Sequence, residues 1–175
     1  SDNAANNRLY EFLGRDHINK RLWYLGYEKT RIRHRLSIVL DEELNRYTNP
    51  FVFYDNDRIV YEQPSQIARV ELDYSFDNHL IGSYHYSNGK KEDGPIDFSA
   101  KNFMNLHEQH EFMKQVIFPE IVPKKNQLDL SDEDYNLLYR EMSILPRQSK
   151  HPEYIDYDSY YDGYCKFFMY GDTKD

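Results

Sequence analysis

The sequence has only one cysteine, Cys165, among its 175 residues. A single thiol excludes an internal disulfide and a zinc-finger ligand set, and it favours a reducing compartment, either mitochondrial or cytoplasmic. Long apolar runs are also missing, because pieces such as FVFY fall far below the length of about 18 residues that crosses a bilayer. We therefore expect an intracellular protein that does not span the membrane.

Short enzyme motifs are absent as well. The sequence has no G-x-G-x-x-G, no G-x-S-x-G and no C-x-x-C, and its stretch GKKEDG lacks the spacing of a phosphate-binding loop. The opening residues SDNAANN contain no basic region and no apolar region, so no signal peptide is expected. These absences predict a protein that is not an enzyme and that needs no cofactor.

Charge and aromatic content show what the chain has instead. The net charge of -8 argues against binding to the phosphates of nucleic acids. Only 39% of the residues are apolar, yet 16% are aromatic, and 17 of those are tyrosines. Because tyrosine supplies a large contact area at a low entropy cost and is enriched at interfaces, this composition indicates a modest core and extensive protein contacts.

Hydrophobic periodicity predicts an α+β fold in three parts. Residues 1–30 form a helical N-terminal arm of short helices, and residues 122–175 form a helix followed by an extended, Tyr/Asp-rich acidic tail. Between them, residues 31–121 form an antiparallel meander of about five or six strands with a packed helix. Alternating apolar residues place two of these strands at Arg31–Leu40 and Ile67–Tyr74.

Turn and capping residues locate the other elements. The Asn-Gly pair at 88–89 suits a type I′ hairpin, because both central residues need a positive φ. Asp55–Asp57 separates two further apolar strands and predicts a second hairpin. Two C-terminal helices are predicted, one in FMNLHEQHEFMKQVIF before Pro119, and one in SDEDYNLLYREMSILP between the N-cap Ser131 and Pro146.

Three arginines alternate with apolar residues in RIRHRLSIVL. Arg31, Arg33 and Arg35 are expected on the solvent face of a strand about 7 Å apart, a row that suits phosphates or carboxylates. Eight basic residues stand against three acidic ones between Arg8 and Arg35, whereas nine acidic residues stand against three basic ones in Asp129–Asp162. Two interpretations stay open. The row contacts an anion or a partner protein, or it meets solvent or the acidic half of its own chain.

The order of strands followed by a helix over Arg31–Ile121 resembles that of pleckstrin-homology-like small barrels, whose sheet is capped by a C-terminal helix. The resemblance implies a binding module for an anionic lipid headgroup or an acidic peptide. The arginine row would then be the anion contact.

The acidic tail contains an unusual cluster of aromatic rings. Five of the twelve residues in EYIDYDSYYDGY are tyrosines: Tyr154, Tyr157, Tyr160, Tyr161 and Tyr164. Such a segment serves as a strap that lies on a partner protein, or it packs back on its own sheet.

A second alternative function is a metal-dependent enzyme that uses His107 and His110. These residues lie in HEQHE, where His107, His110 and Glu111 share one face of a helix. The pattern is one residue shorter than H-E-x-x-H, and no Cys or Asp nearby completes a ligand set. No metal site is therefore assigned.

Together these features predict a non-enzymatic accessory or structural subunit of a larger intracellular assembly. A mitochondrial membrane complex of the respiratory or ATP-synthase type is one setting for it. The expected partners are other protein subunits and anionic lipid headgroups, and not nucleic acid.

Overall fold

The computed structural model describes residues 3–72, 79–150, 152–156 and 158–162. The chain divides into two compact units, Asp2–His110 and Glu111–Asp175. The helices are α1 (Asn3–Leu13), α2 (Arg15–Tyr24), α3 (Glu42–Arg46), α4 (Leu106–Ile117) and α5 (Asp132–Ser143). The strands are β1 (Phe51–Asp55), β2 (Arg58–Gln63), β3 (Leu80–Ile81), β4 (Tyr84–Ser87), β5 (Lys90–Asp93) and β6 (Ile96–Asp97). The predicted α+β class is confirmed.

The strands form three small antiparallel sheets. β1 pairs with β2, β4 pairs with β5, and β3 pairs with β6 outside the β4–β5 pair. Residues 80–97 are therefore one long hairpin that is interrupted midway, where the N–H of Gly94 donates to the carbonyl oxygen of Ser83 at 2.9 Å. The prediction of a continuous meander is wrong, and no closed barrel forms among the residues that the structure describes.

Two predicted strands are replaced by irregular backbone. In Arg31–Leu40 a single bridge pairs Arg31 with Phe103, and in the described part of Ile67–Tyr74 a single bridge pairs Ile67 with Tyr47. Residues 73 and 74 lie outside the described residues. In both segments, side chains of other elements bond to many of the backbone N–H and carbonyl groups. The alternation of apolar and polar residues is therefore not accompanied by pairing in a sheet.

The turns and caps follow the prediction. Asn88 and Gly89 have φ values of 50° and 75°, as the hairpin between β4 and β5 requires. Asn56, in the turn between β1 and β2, has a φ of 53°. Ser131 caps α5 in a capping box with Asp134, which satisfies backbone donors at the start of that helix.

The interior is mainly polar. Among the described residues six apolar side chains are buried, against eleven polar or charged ones. In the first unit Phe12 of α1 packs its ring against Phe51, Phe53 and Tyr61 of the β1–β2 hairpin. In the second unit the hydroxyl of Tyr139 donates to the carbonyl oxygen of Val116 at 2.8 Å. Hydrogen bonds and ion pairs therefore specify much of this fold.

Membrane-spanning helices are not seen in the described ranges, where no helix combines the required length with the required apolar composition.

Candidate functional site

A cleft of about 710 Å³ lies in the first unit, lined by α1 and by residues between Arg35 and Asn49. Its aliphatic lining comes from Leu36, Ile38, Leu40 and Leu44, and its polar lining includes Asn3, Asn7, Glu11, Ser37 and Asn49. This volume lies within the range of pockets that bind small molecules, and such pockets commonly combine an apolar wall with a few polar groups. The cleft is therefore the candidate functional site.

One wall of the cleft is formed by part of an irregular segment, Ile32–Leu40, here called the cleft loop. Buried Asn19 of α2 bonds to both backbone polar atoms of Ile32: its Nδ2 donates to the carbonyl oxygen at 2.8 Å, and its Oδ1 accepts from the N–H at 2.9 Å. An asparagine amide has a donor and an acceptor, as a peptide group has. Asn19 therefore makes the two backbone hydrogen bonds that a neighbouring strand would otherwise make with Ile32.

The next residues of the cleft loop are held in the same way. Asn102 accepts from the backbone N–H groups of Arg33 and His34 at 2.7 and 3.0 Å, and donates to the carbonyl oxygen of His34 at 3.0 Å. Asn45 of α3 accepts from the N–H of Arg35 at 3.3 Å. The loop backbone is thus satisfied by side chains from three separate elements of the first unit.

Two asparagines of α1 fix the part of the cleft loop that lines the cleft. Asn7 donates to the carbonyl oxygen of Leu36 at 2.8 Å and accepts from its N–H at 2.7 Å. Asn3 donates from Nδ2 to the hydroxyl of Ser37 at 2.7 Å. Ser37 has a φ of 55°, a left-handed conformation that is uncommon for residues other than glycine. The α1 contacts therefore hold a strained residue in the cleft wall.

An ion pair closes the polar side of the cleft. Oε1 of Glu11 accepts from Nε and Nη2 of Arg35 at 3.1 and 2.8 Å, and from Nδ2 of Asn49 at 2.9 Å. Arg35 is buried, and its Nη2 also donates to the carbonyl oxygen of Tyr47 at 2.7 Å. This shared network joins α1, the cleft loop and the residues after α3.

A second ion-pair network lies beneath the cleft loop around Glu42, the first residue of α3. Its Oε1 is 2.7 Å from Nη1 of the buried Arg15, and its Oε2 is 3.2 Å from Nη2 of the buried Arg33. Nε of Arg46 is 3.6 Å from Oε1. One carboxylate therefore serves three guanidinium groups and anchors α3 to α2 and to the cleft loop.

Tyr10 of α1 lies at the centre of these contacts and is almost fully buried. Its hydroxyl is 2.9 Å from the carbonyl oxygen of Arg33 and 2.8 Å from that of Asn45. Burial raises the pKa of Tyr10 to about 12, although the nearby cations Arg15 and Arg35 act in the opposite direction. The hydroxyl therefore stays protonated, and its single proton is donated to one of these two carbonyl oxygens or shared between them.

The arginine row is not an exposed face. Arg33 and Arg35 are buried, and their carboxylate partners are Glu42 and Glu11. The guanidinium of Arg31 lies 4.7 Å from the ring centroid of Trp23, a cation–π contact. The structure thus gives these side chains partners within the first unit, and an anion or partner contact through Arg31, Arg33 and Arg35 stays a prediction.

The tyrosine strap falls partly outside the described residues, because Tyr157, Tyr164 and the neighbouring Cys165 are not among them. The rings of Tyr154 and Tyr160 have centroids 4.8 Å apart, and Tyr161 is half-buried. The contact of this strap with a partner stays a prediction.

His107 and His110 are both exposed on α4. Within the ranges that the structure describes, no group of three or more His, Cys, Asp and Glu side chains is arranged to hold a metal ion. The histidines are therefore not part of such a cluster there.

A comparison with protein families supplies the function class. The Beta-lactamase2 family, described as the beta-lactamase enzyme family, matches residues 1–132. No curated protein and no solved structure is found to match the chain. The family match contradicts the prediction of a non-enzymatic structural subunit of a mitochondrial complex, and with it the alternative of a lipid-binding module. It does not test the alternative of a metal-dependent enzyme that uses His107 and His110. It indicates a hydrolytic enzyme.

The sequence contains one signal that could have led to this class. Serine β-lactamases of class A and penicillin-binding proteins share the motifs S-x-x-K, S-D-N and K-T-G. Ser1, Asp2 and Asn3 read S-D-N, and of these the structure describes Asn3, which lines the cleft. Three residues are a weak signal alone, and they gain meaning from the family match and from the position of Asn3 in the lining of the cleft.

Proposed function

Since this chain belongs to the beta-lactamase enzyme family, we propose that it functions in the hydrolysis of an acyl substrate that binds in the cleft beside α1. The matched residues 1–132 include every residue that lines this cleft. The cleft also has an aliphatic wall and neutral hydrogen-bonding groups, a combination that is common in sites for small organic molecules.

A single observation carries the proposal. Asn3, the last residue of the S-D-N motif, lies in the cleft and donates to Ser37 on the opposite wall at 2.7 Å. An amide at this place offers a donor and an acceptor to the carbonyl or amide group of a substrate. We therefore assign Asn3 the role of a substrate-binding residue.

The other two family motifs do not supply a residue to the cleft. The only S-x-x-K pattern in the 175 residues is Ser87–Lys90, which spans the turn between β4 and β5 and does not line the cleft. K-T-G is absent, and Lys29–Arg31 reads K-T-R. No residue of the cleft is therefore assigned as the nucleophile.

The test is hydrolysis of a chromogenic β-lactam and of an activated ester by the full chain. Replacing Asn3 with Ala removes the amide, and we expect kcat/KM to fall by about tenfold or more, as for the loss of other donors that contact the reacting group. Asn6→Ala is the matched control, because Asn6 is exposed on the same helix and does not line the cleft.

Equal activity of the Asn3→Ala and Asn6→Ala proteins would remove the assigned role of Asn3. A purified protein that hydrolyses neither substrate would overturn the proposed function.

A further inference from the structure

The turn between β4 and β5 is open to solvent on all sides. Ser87 pairs with Lys90, so Asn88 and Gly89 alone form the loop, and both are exposed. A Cβ atom placed on Gly89 would meet no atom within 4 Å. Within the described ranges, neither the side-chain amide of Asn88 nor the N–H of Gly89 forms a hydrogen bond. Both groups are therefore available for a reaction with each other.

The reaction that these two groups can undergo is ring closure with loss of ammonia. The backbone nitrogen of Gly89 attacks the side-chain carbonyl carbon of Asn88, and the amide nitrogen of Asn88 leaves as ammonia with the proton of the Gly89 N–H. The new carbon–nitrogen bond closes a five-membered imide ring. Water then opens the ring, so water is the only co-reactant. Asparagine is a thermally labile residue in proteins.

The hairpin that carries the turn is small enough to open locally. β4 and β5 have four residues each, and among the described residues they pair only with each other. A single two-stranded hairpin is marginally stable in water. We therefore expect brief openings in which the backbone rotates until the nitrogen of Gly89 reaches the side chain of Asn88.

Asn56 offers a comparison within the same chain. It is exposed in the turn between β1 and β2, and its φ of 53° is close to the 50° of Asn88. Its side chain donates to Asp55 at 3.3 Å, and the backbone nitrogen next to it belongs to Asp57, which has a Cβ atom. Glycine has no Cβ atom and rotates more easily, so Gly89 is the better placed to attack.

We propose that Asn88 is a site of spontaneous modification, at which the protein converts with time into aspartate and isoaspartate forms, and that the isoaspartate form loses the pairing of β4 with β5. When water opens the ring at the main-chain carbonyl, the chain continues through the former side chain and gains one backbone atom. A two-residue turn fits its strands only in particular geometries, so the longer turn cannot keep pairs such as His85 and Glu92 in register. These residues do not line the cleft, so the inference is independent of the proposed function.

The experiment incubates the folded full chain in mildly alkaline buffer and measures the modification of each asparagine by peptide mass spectrometry. Each conversion of an amide into an acid adds about one mass unit. We expect the rate at Asn88 to exceed the rate at Asn56 by about tenfold or more, since small differences in a barrier change rates by such factors. Labelling by an isoaspartate-specific methyltransferase distinguishes isoaspartate from aspartate.

Two variants test the role of the following residue. Gly89→Ala is expected to slow the modification of Asn88 by about tenfold. Because Gly89 has a φ of 75°, that variant also strains the turn. Asp57→Gly is the complementary variant, and it is expected to raise the rate at Asn56 toward the rate at Asn88. A gain of reaction at a new site does not depend on how well the other variant folds.

The effect on the hairpin is measured by hydrogen exchange of the amides of β4 and β5. Asn88→Asp is the matched control, because it has the charge of the product on an ordinary backbone, and Asp-Gly also suits this turn. We expect the control to keep its protection and the isoaspartate form to lose it.

The modification site is overturned by equal rates at Asn88 and Asn56, or by an Asn88 that stays intact in the folded protein while the chain unfolded in urea is modified. The structural effect is overturned if the isoaspartate form keeps its protection, or if Asn88→Asp loses as much.

Discussion

Two hydrogen bonds join the side-chain amide of Asn7 to the backbone of Leu36. The amide donates to the carbonyl oxygen of Leu36 at 2.8 Å and accepts from its N–H at 2.7 Å. Asn7 is buried on α1, and Leu36 lies in the cleft loop. The pair therefore joins α1, the helix that begins at Asn3, to the opposite wall of the cleft.

Replacing Asn7 with Asp is expected to lower the free energy of unfolding by about 1–3 kcal/mol, the cost of leaving a buried acceptor without a donor. The new carboxylate still accepts from the N–H of Leu36, but it cannot donate to the carbonyl oxygen. Urea denaturation measures the change. The control is Asn6→Asp, an exposed neighbour that adds the same charge near the start of the same helix. Equal destabilisation by both variants would contradict this account.

Ser37 gives a prediction about strain. Its φ of 55° is costly for a residue with a Cβ atom, and glycine adopts it freely. We expect Ser37→Gly to be about 1 kcal/mol more stable than Ser37→Ala. Both variants lose the hydroxyl that Asn3 binds, so their difference in unfolding free energy isolates the backbone. An alanine variant at least as stable as the glycine variant would show that Ser37 is not strained.

Tyr10 gives a prediction about pH. Its pKa in the folded protein is raised to about 12 from the ordinary value of 10.0. Between these two values the unfolded chain releases the proton while the folded protein retains it, so stability is full below pH 10 and falls as the pH rises toward 12. The loss from this group is expected to be about 2 kcal/mol.

The chain has 17 tyrosines, so the contribution of Tyr10 must be isolated. Tyr10→Phe removes this titration, and the difference in unfolding free energy between the two proteins is expected to shrink from pH 9 to pH 12. A difference that stays constant over this range would contradict the prediction.

Glu42 gives a prediction about the ion-pair network. Glu42→Gln leaves the buried Arg15 and Arg33 without their shared carboxylate, and we expect a loss of stability of about 2 kcal/mol, reduced from the cost at a fully buried pair because Glu42 is partly exposed. Glu71→Gln is the control. Glu71 also binds Arg46, and that contact lowers its pKa, but the pair is on the surface. Its replacement is expected to change stability little.

Local signals allowed the sequence to predict much of the fold. The Asn-Gly pair at 88–89 specified its hairpin because its positive φ values depend on these two residues alone. Ser131 predicted the start of α5, since a helix cap is made within four residues of the chain. The S-D-N motif also consists of neighbouring residues. It could not be recognised as part of a site from the sequence, because the cleft that Asn3 lines is formed by residues distant in the chain.

The cleft loop was mispredicted because its partners are distant in sequence. Alternation in Arg31–Leu40 is typical of a strand, and the period alone does not show whether a strand or a set of asparagine side chains satisfies the backbone. The burial of Arg35 depends on Glu11, which lies 24 residues away. Likewise, α4 buries Glu108 rather than the neighbouring Leu106, because Glu108 accepts from the hydroxyl of Thr30, 78 residues away.

Four asparagines hold the cleft loop through its main chain, namely Asn7, Asn19, Asn45 and Asn102, and their contacts do not involve the aliphatic side chains of Leu36, Ile38 and Leu40. Substitutions at Leu36, Ile38 or Leu40 can therefore alter what the cleft accepts while the amide contacts that shape the loop persist. The residues that hold the loop backbone are thus different from the aliphatic residues that line the cleft. Ligand selectivity can therefore change in the evolution of this protein while the backbone of the loop is kept.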